Sequence, residues 1–155
     1  MRSEDFLEKI ESIAKEKNSR IILAVDEQDY DIKLIHEMKD FVVGLKIGII
    51  PILFSTNKVI ETCERFAKKL ILIADMKIAD IPYISRKIAN KAKELGFDAV
   101  IAHAFVGKDV LTELKEDIAT IGVVCMTNEG SVLLNENYRR LVEICNELEL
   151  AGIVA

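Results

Sequence analysis

The chain has no tryptophan, two prolines, seven glycines and three cysteines among its 155 residues. So little Gly and Pro excludes a collagen-like or low-complexity chain and leaves little room for long structureless loops. Cys63, Cys125 and Cys145 are odd in number, widely spaced and form no C-x-x-C pair. That argues against a disulfide framework or a zinc site, and the expectation is three buried, reduced thiols in a reducing cytoplasm. No apolar run approaches the ~20 residues that a membrane-spanning helix needs. Met1 to Lys17 mixes charged and apolar residues and lacks the apolar segment of a secretory leader. The formal net charge is -5, and the Lys and Arg residues are scattered rather than striped, so no nucleic-acid partner is expected. What remains is a chain 50% hydrophobic and 30% charged, the composition and size of one packed globular domain over residues 1–155.

Apolar runs and helical periods alternate along that domain. Ser3 to Lys17 places Phe6, Leu7, Ile10, Ile13 and Ala14 on one helical face, with Ser3 as a plausible N-cap. Ile21 to Val25 then reads as a strand buried on both faces, as in a parallel sheet. Further strands are expected at Phe41–Ile47, Leu70–Ala74, Ala99–Ala102, Ile121–Met126 and Ala151–Ala155. Helices are expected at Tyr30–Asp40, Asn57–Lys69, Tyr83–Leu95, Lys108–Asp117 and Asn135–Leu148, with Gly96 in the place of a C-terminal cap. Phe41, Phe54, Phe66, Phe97 and Phe105 are expected in the core. His36 is expected on a solvated helix face, and Asp29 and Asp31 at a helix N-terminus.

Strand–helix alternation of this kind fits a dinucleotide-binding sheet or a (β/α)₈ barrel. No Gly-x-Gly-x-x-Gly follows any strand, which weighs against the first. Asp26, Lys46, Asp75, Lys77, His103 and Thr127 all fall at the C-terminal ends of strands, which in a barrel converge on one mouth. The expectation is a TIM-type α/β barrel truncated to about six of its eight strands. His103, a lone histidine at a strand end, is expected to play a supporting rather than a catalytic part.

The densest chemistry lies in Asp75-Met-Lys77-Ile-Ala-Asp80-Ile81-Pro82. Asp75 and Lys77 stand two apart, so in an extended strand they face the same side. D-x-K-x-x-D alone is a weak motif, equally suited to a surface salt bridge worth ~0–1 kcal/mol. Its context is stronger, because Asp26 and Lys46 place two further charges on apolar strands, where charge is costly unless paired.

These residues give the chain its resemblance. Leu23-Ala-Val-Asp26, Gly44-Leu-Lys46-Ile-Gly48, Ile73 to Pro82 and Ala99 to Phe105 with Gly107 resemble, in order, the orotidine 5′-monophosphate decarboxylases in their compact microbial form. The resemblance implies cofactor-free, metal-free conversion of orotidine 5′-monophosphate to UMP. It implies Lys77 as proton donor to C6, Asp75 beside the substrate carboxylate, and Asp26 and Lys46 at the ribose hydroxyls. Lys77, flanked by Asp75 and Asp80, is then expected to be an ammonium. Ile81 would form an apolar wall and Thr127 would touch the base in place of the family's usual Ser. Asp80 would reach into the partner's site across a homodimer interface.

Two departures stand out. The family pattern D-I-P-x-T meets Ile84 at its last position. The family's phosphate-binding Gln and Arg follow its sixth and eighth strands, beyond Ala155, so residues 1–155 alone are expected to have negligible activity. The alternatives are the related magnesium-dependent sugar-phosphate synthases and decarboxylases, against which Ile81-Pro82 argues, and an incompetent barrel fragment acting only through association.

Overall fold

A computed structural model describes residues 1–155. The elements run α1 (Ser3–Lys17), β1 (Ile22–Val25), α2 (Ile32–Met38), β2 (Gly44–Gly48), α3 (Ile49–Phe54), α4 (Thr56–Phe66) and β3 (Ile71–Ile78). They continue with α5 (Pro82–Glu94), β4 (Ala99–His103), a 3₁₀ turn (Ala104–Val106), α6 (Lys108–Asp117), β5 (Ala119–Val123), α7 (Val132–Glu147) and β6 (Gly152–Val154). All six strands are parallel and lie in chain order, β1-β2-β3-β4-β5-β6. Each new strand is added to the same edge. A dinucleotide-binding sheet reverses direction at a switch point, and no reversal occurs here. The sheet is the winding of a β/α barrel carried through six strands.

The two faces of the sheet are packed differently. Leu45, Ile47, Leu72, Ala74, Val100 and Ala102 join Val59, Phe66, Leu111 and Leu114 in the layer under the helices. Ile71, Ile73, Ala99, Ile101 and Ile121 project from the opposite face and pack with Phe6 and Ile13 of α1. Helix α1 also ties the N-terminal ends of the strands together. Lys17 Nζ donates to the carbonyls of Lys39, Val42 and Lys69 at 2.6, 3.0 and 2.8 Å. Lys9 Nζ donates to the Ala67 carbonyl at 3.1 Å and to the Asp98 carboxylate at 2.8 Å. These acceptors lie just upstream of β2, β3 and β4, so α1 covers one end of the sheet and the functional residues collect at the other.

Several expectations are corrected. Phe66 and Phe97 are buried, but Phe41, Phe54 and Phe105 are 64%, 65% and 48% exposed. Phe41 stands in the turn before β2, Phe54 ends α3 and Phe105 lies in the 3₁₀ turn, all outside the packed layers. The first strand is not buried on both faces, because it is a sheet edge with one neighbour, and Ile22 is 39% exposed. The third strand runs through Asp75 and Lys77 to Ile78, and the fifth starts at Ala119 rather than Ile121. Ser3 is the first helical residue of α1 and Arg2 is its N-cap. Cys63 and Cys145 are buried, whereas Cys125 is half-buried; all three are free thiols. No helix is long and apolar enough to cross a membrane.

At Gly122, Cys145 of α7 packs directly against the backbone of β5. A Cβ there would lie 2.5 Å from Cys145 Sγ. Gly122→Val is therefore expected to destabilise the fold by ~1–3 kcal/mol through overpacking. The check is the urea midpoint, which should fall at unchanged slope.

Candidate active site

Strand register places the charged residues on one face. Ala24 pairs with Lys46, Lys46 with Ile73, and Gly48 with Asp75. With a side-chain period of two, Lys46 and Asp75 share a face with Ile73, and His103 joins them from β4. Asp26 follows β1 directly and completes the row.

The four groups form an alternating chain of charge. Lys46 Nζ lies 3.4 Å from Asp26 Oδ1 and 2.8 Å from Asp75 Oδ2. Lys77 Nζ lies 2.8 Å from Asp75 Oδ1. Asp75 thus uses one oxygen for each ammonium. Its side chain is 7% exposed, against 27% for Lys46, 43% for Lys77 and 62% for Asp26. Burial alone would push the Asp75 carboxyl up, but hydrogen bonds and charge from Lys46 and Lys77 prevail and hold it below its usual value. Burial likewise opposes the charged form of Lys46, and Asp75 and Asp26 overcome it, raising the ammonium above its ordinary value.

The local backbone is specialised for this arrangement. The β3–β4 register shifts between Ala74 and Ile78, and Lys77 within that irregularity has φ +45°. A non-glycine residue in the left-handed region stores strain, of order 1–3 kcal/mol, that the surroundings must sustain. Gly48 is required for a different reason, since a Cβ there would collide with Asp26 Oδ1.

His103 borders the array. Its Nδ1 is buried without a hydrogen-bond partner, and its ring packs against Phe105 with centroids 4.8 Å apart. Burial first, and the Lys77 charge second, lower its pKa from the ordinary 6.5, with Asp75 acting in the opposite sense. A lowered folded-state value means that His103 contributes stability fully above the unfolded value and loses it as pH falls through the folded one. Between about pH 8 and pH 5 the stability of the unmodified chain is expected to fall more steeply than that of His103→Asn. Urea titrations of both at several pH values check this, and parallel curves would contradict it.

Asp80 stands outside the ion-paired set. Its carboxylate accepts from the Ile81 N–H at 2.7 Å, and its carbonyl accepts from the Ser85 hydroxyl at 2.9 Å. Ile81 is 63% exposed and lines a hollow of about 430 Å³ with Asp80, Pro82, Phe105 and Val106. Ile84 is half-buried, and Thr127 is exposed in the loop between β5 and α7. A cleft of about 130 Å³ lies over the array, lined by Asp26, Gly48, Ile49, Ile50, Asp75, Met76 and Lys77. Ile49, Ile50 and Met76 were not foreseen from the sequence; the only available signal was that Ile49 and Ile50 follow Gly48 and that Met76 stands between Asp75 and Lys77. A wider hollow of about 780 Å³ by Glu11, Lys15 and Arg20 at the end of α1 contains none of these groups. An ammonium 2.8 Å from a buried carboxylate, beside an open cleft, is suited to stabilising and protonating a developing negative charge.

Comparison with known proteins points the same way. Residues 19–155 match the family model described as Orotidine 5'-phosphate decarboxylase / HUMPS family. The orotidine 5'-phosphate decarboxylase of Thermococcus kodakarensis is 36% identical over 142 residues, which are 90% of this chain and 66% of that protein. The crystal structure of the Pyrococcus horikoshii enzyme superposes with a TM-score of 0.76 at 34% identity, covering 86% of this chain and 65% of that one. The Methanocaldococcus jannaschii enzyme, complexed with the inhibitor BMP, gives a TM-score of 0.78 at 29% identity, covering 88% and 67%. The chain therefore spans about two thirds of the length of the relatives it matches.

Proposed function

The chain belongs to the orotidine 5′-phosphate decarboxylase / HUMPS family, and from that premise we propose that residues 1–155 supply the Asp/Lys part of a site converting orotidine 5′-monophosphate to UMP. The observation that carries this reading is the buried Asp75 carboxylate bridging Lys46 and Lys77 at 2.8 Å each. The C6–carboxyl bond breaks heterolytically, the electron pair stays on C6 and CO₂ departs. Lys77 stabilises that charge and passes a proton from Nζ to C6, then regains one from solvent. Asp75 stands beside the departing carboxylate, where its charge disfavours the ground state. Asp26 and Lys46 hold the ribose hydroxyls, Ile81 walls the pyrimidine and Thr127 meets the base. No cofactor or metal takes part.

Asp80 acts in the site of a second subunit. Its carboxylate forms no ion pair within the chain, in keeping with a partner outside it. Three free thiols suit the reducing cytoplasm in which this reaction would run. The cleft over the array, about 130 Å³, is smaller than the ~300–1,000 Å³ usual for a ligand pocket. The nucleotide therefore needs further walls, and the family resemblance implies a phosphate-binding Gln after the sixth strand and an Arg after the eighth.

The test is UMP binding to ¹⁵N-labelled residues 1–155. UMP should perturb the resonances of Lys46, Asp75 and Lys77 at millimolar concentration. Perturbations confined to other parts of the fold would overturn the assignment.

A further inference from the structure

The loop that carries Thr127 is held by one side chain that the proposed reaction does not itself use. Val124 N–H still donates to the Val154 carbonyl at 2.9 Å, and Ser131 N–H closes a turn onto the Asn128 carbonyl at 3.0 Å. Between these two points Met126 makes its hydrogen bonds to Asn135, in the first turn of α7. Asn135 Oδ1 accepts from the Met126 N–H at 3.2 Å, and Asn135 Nδ2 donates to the Met126 carbonyl at 3.1 Å. The same Oδ1 accepts from Cys125 Sγ at 2.9 Å. A carboxamide is the one side-chain group that matches a peptide unit donor for acceptor. Asn135 thus occupies the place of a neighbouring strand for the residue immediately before Thr127.

We propose that Asn135 is a positioning residue for Thr127, its carboxamide bridging the N–H and C=O of Met126 so that the loop leaving β5 presents the Thr127 hydroxyl to a pyrimidine nucleotide. This rests on the decarboxylase reading, because it assigns Thr127 to the base. The chemistry makes the clamp selective. Asn135→Asp keeps an acceptor for Met126 N–H but sets a carboxylate oxygen against the Met126 carbonyl. Asn135→Leu removes both bonds. Asn135 is exposed, so either change should leave the global fold in place.

The experiment follows amide exchange and UMP-induced shifts in ¹⁵N-labelled residues 1–155, unmodified and as Asn135→Leu and Asn135→Asp. In Asn135→Leu the Met126 amide is expected to exchange about fivefold faster, as loss of a net hydrogen bond of ~1 kcal/mol implies. UMP should still shift Lys46, Asp75 and Lys77 in the variants while the shift at Thr127 disappears. A purely structural role for Asn135 would diminish all of these shifts together, and that pattern would overturn the proposal. Met126 exchange that is unchanged in Asn135→Leu, or a Thr127 shift that survives in that variant, would overturn it alone. If UMP shifts none of Lys46, Asp75 and Lys77 in the unmodified chain, the decarboxylase reading fails, and this proposal fails with it.

Discussion

Lys77→Ala, made in residues 1–155 joined to the C-terminal third of the Thermococcus kodakarensis relative, is expected to lower kcat by ~10²–10⁴-fold, the range for loss of a positioned general acid. UMP affinity should change far less, because the product no longer carries the charge that Lys77 meets in the transition state. Stability should also move little. Asp75 keeps Lys46 at 2.8 Å after the change, so no buried carboxylate is left unpaired. Lys77 is itself 43% exposed, where an ion pair is worth ~1 kcal/mol or less. A variant that folds and binds UMP yet loses turnover places Lys77 at the chemical step. A fall in affinity as large as the fall in kcat would assign it to binding instead.

Residues 1–155 by themselves are expected to show the second large effect, turnover lower than that of the joined chain by ~10²–10⁴-fold or more. The array cannot carry the reaction alone. One ion pair at about 4 Å gives ~4 kcal/mol at an effective dielectric near 20, whereas enzymes lower barriers by ~8–23 kcal/mol. Binding energy from the remote phosphate has to supply part of the difference. Two hydrogen-bonding groups on a phosphate, at ~1.5–3 kcal/mol each for charged partners, amount to ~3–6 kcal/mol, or roughly 10²–10⁴-fold. Steady-state assays of the two chains at equal concentration of folded protein check this. Comparable turnover would mean that the phosphate is held by residues already present here.

The strand run was readable because its physics is local. Ile71 to Ala74 and Ala99 to Ala102 are continuous apolar segments, and every residue of both is buried. Asp75 and Lys77 do pair, but the left-handed backbone at Lys77 departs from the extended strand on which that expectation rested. Features set by tertiary context were not readable. Nothing in the one-dimensional pattern marks Lys77 for φ +45°, because the irregularity depends on how β3 pairs with β4. Ile49 to Phe54 continues an apolar run, and only the structure shows it turning into a short helix whose last residue is exposed. Phe41 and Phe105 have core composition and loop positions. The Lys9 and Lys17 contacts to strand-entry carbonyls, and the Asn135 clamp, join residues far apart or in different elements and leave no periodic trace. Asp80 was placed beside Lys77 by sequence proximity, yet the only carboxylate paired with Lys77 is Asp75.

Carbon dioxide release without metal is the direct test of the Asp26–Lys46–Asp75–Lys77 row as a decarboxylation site. Orotidine 5′-monophosphate labelled in its carboxyl group is supplied to the joined chain in the presence of EDTA, and released CO₂ is counted against UMP formed. Release in equal amounts with UMP is expected, at a rate unaffected by EDTA. No release from protein that binds UMP, or release only when magnesium is restored, would contradict it.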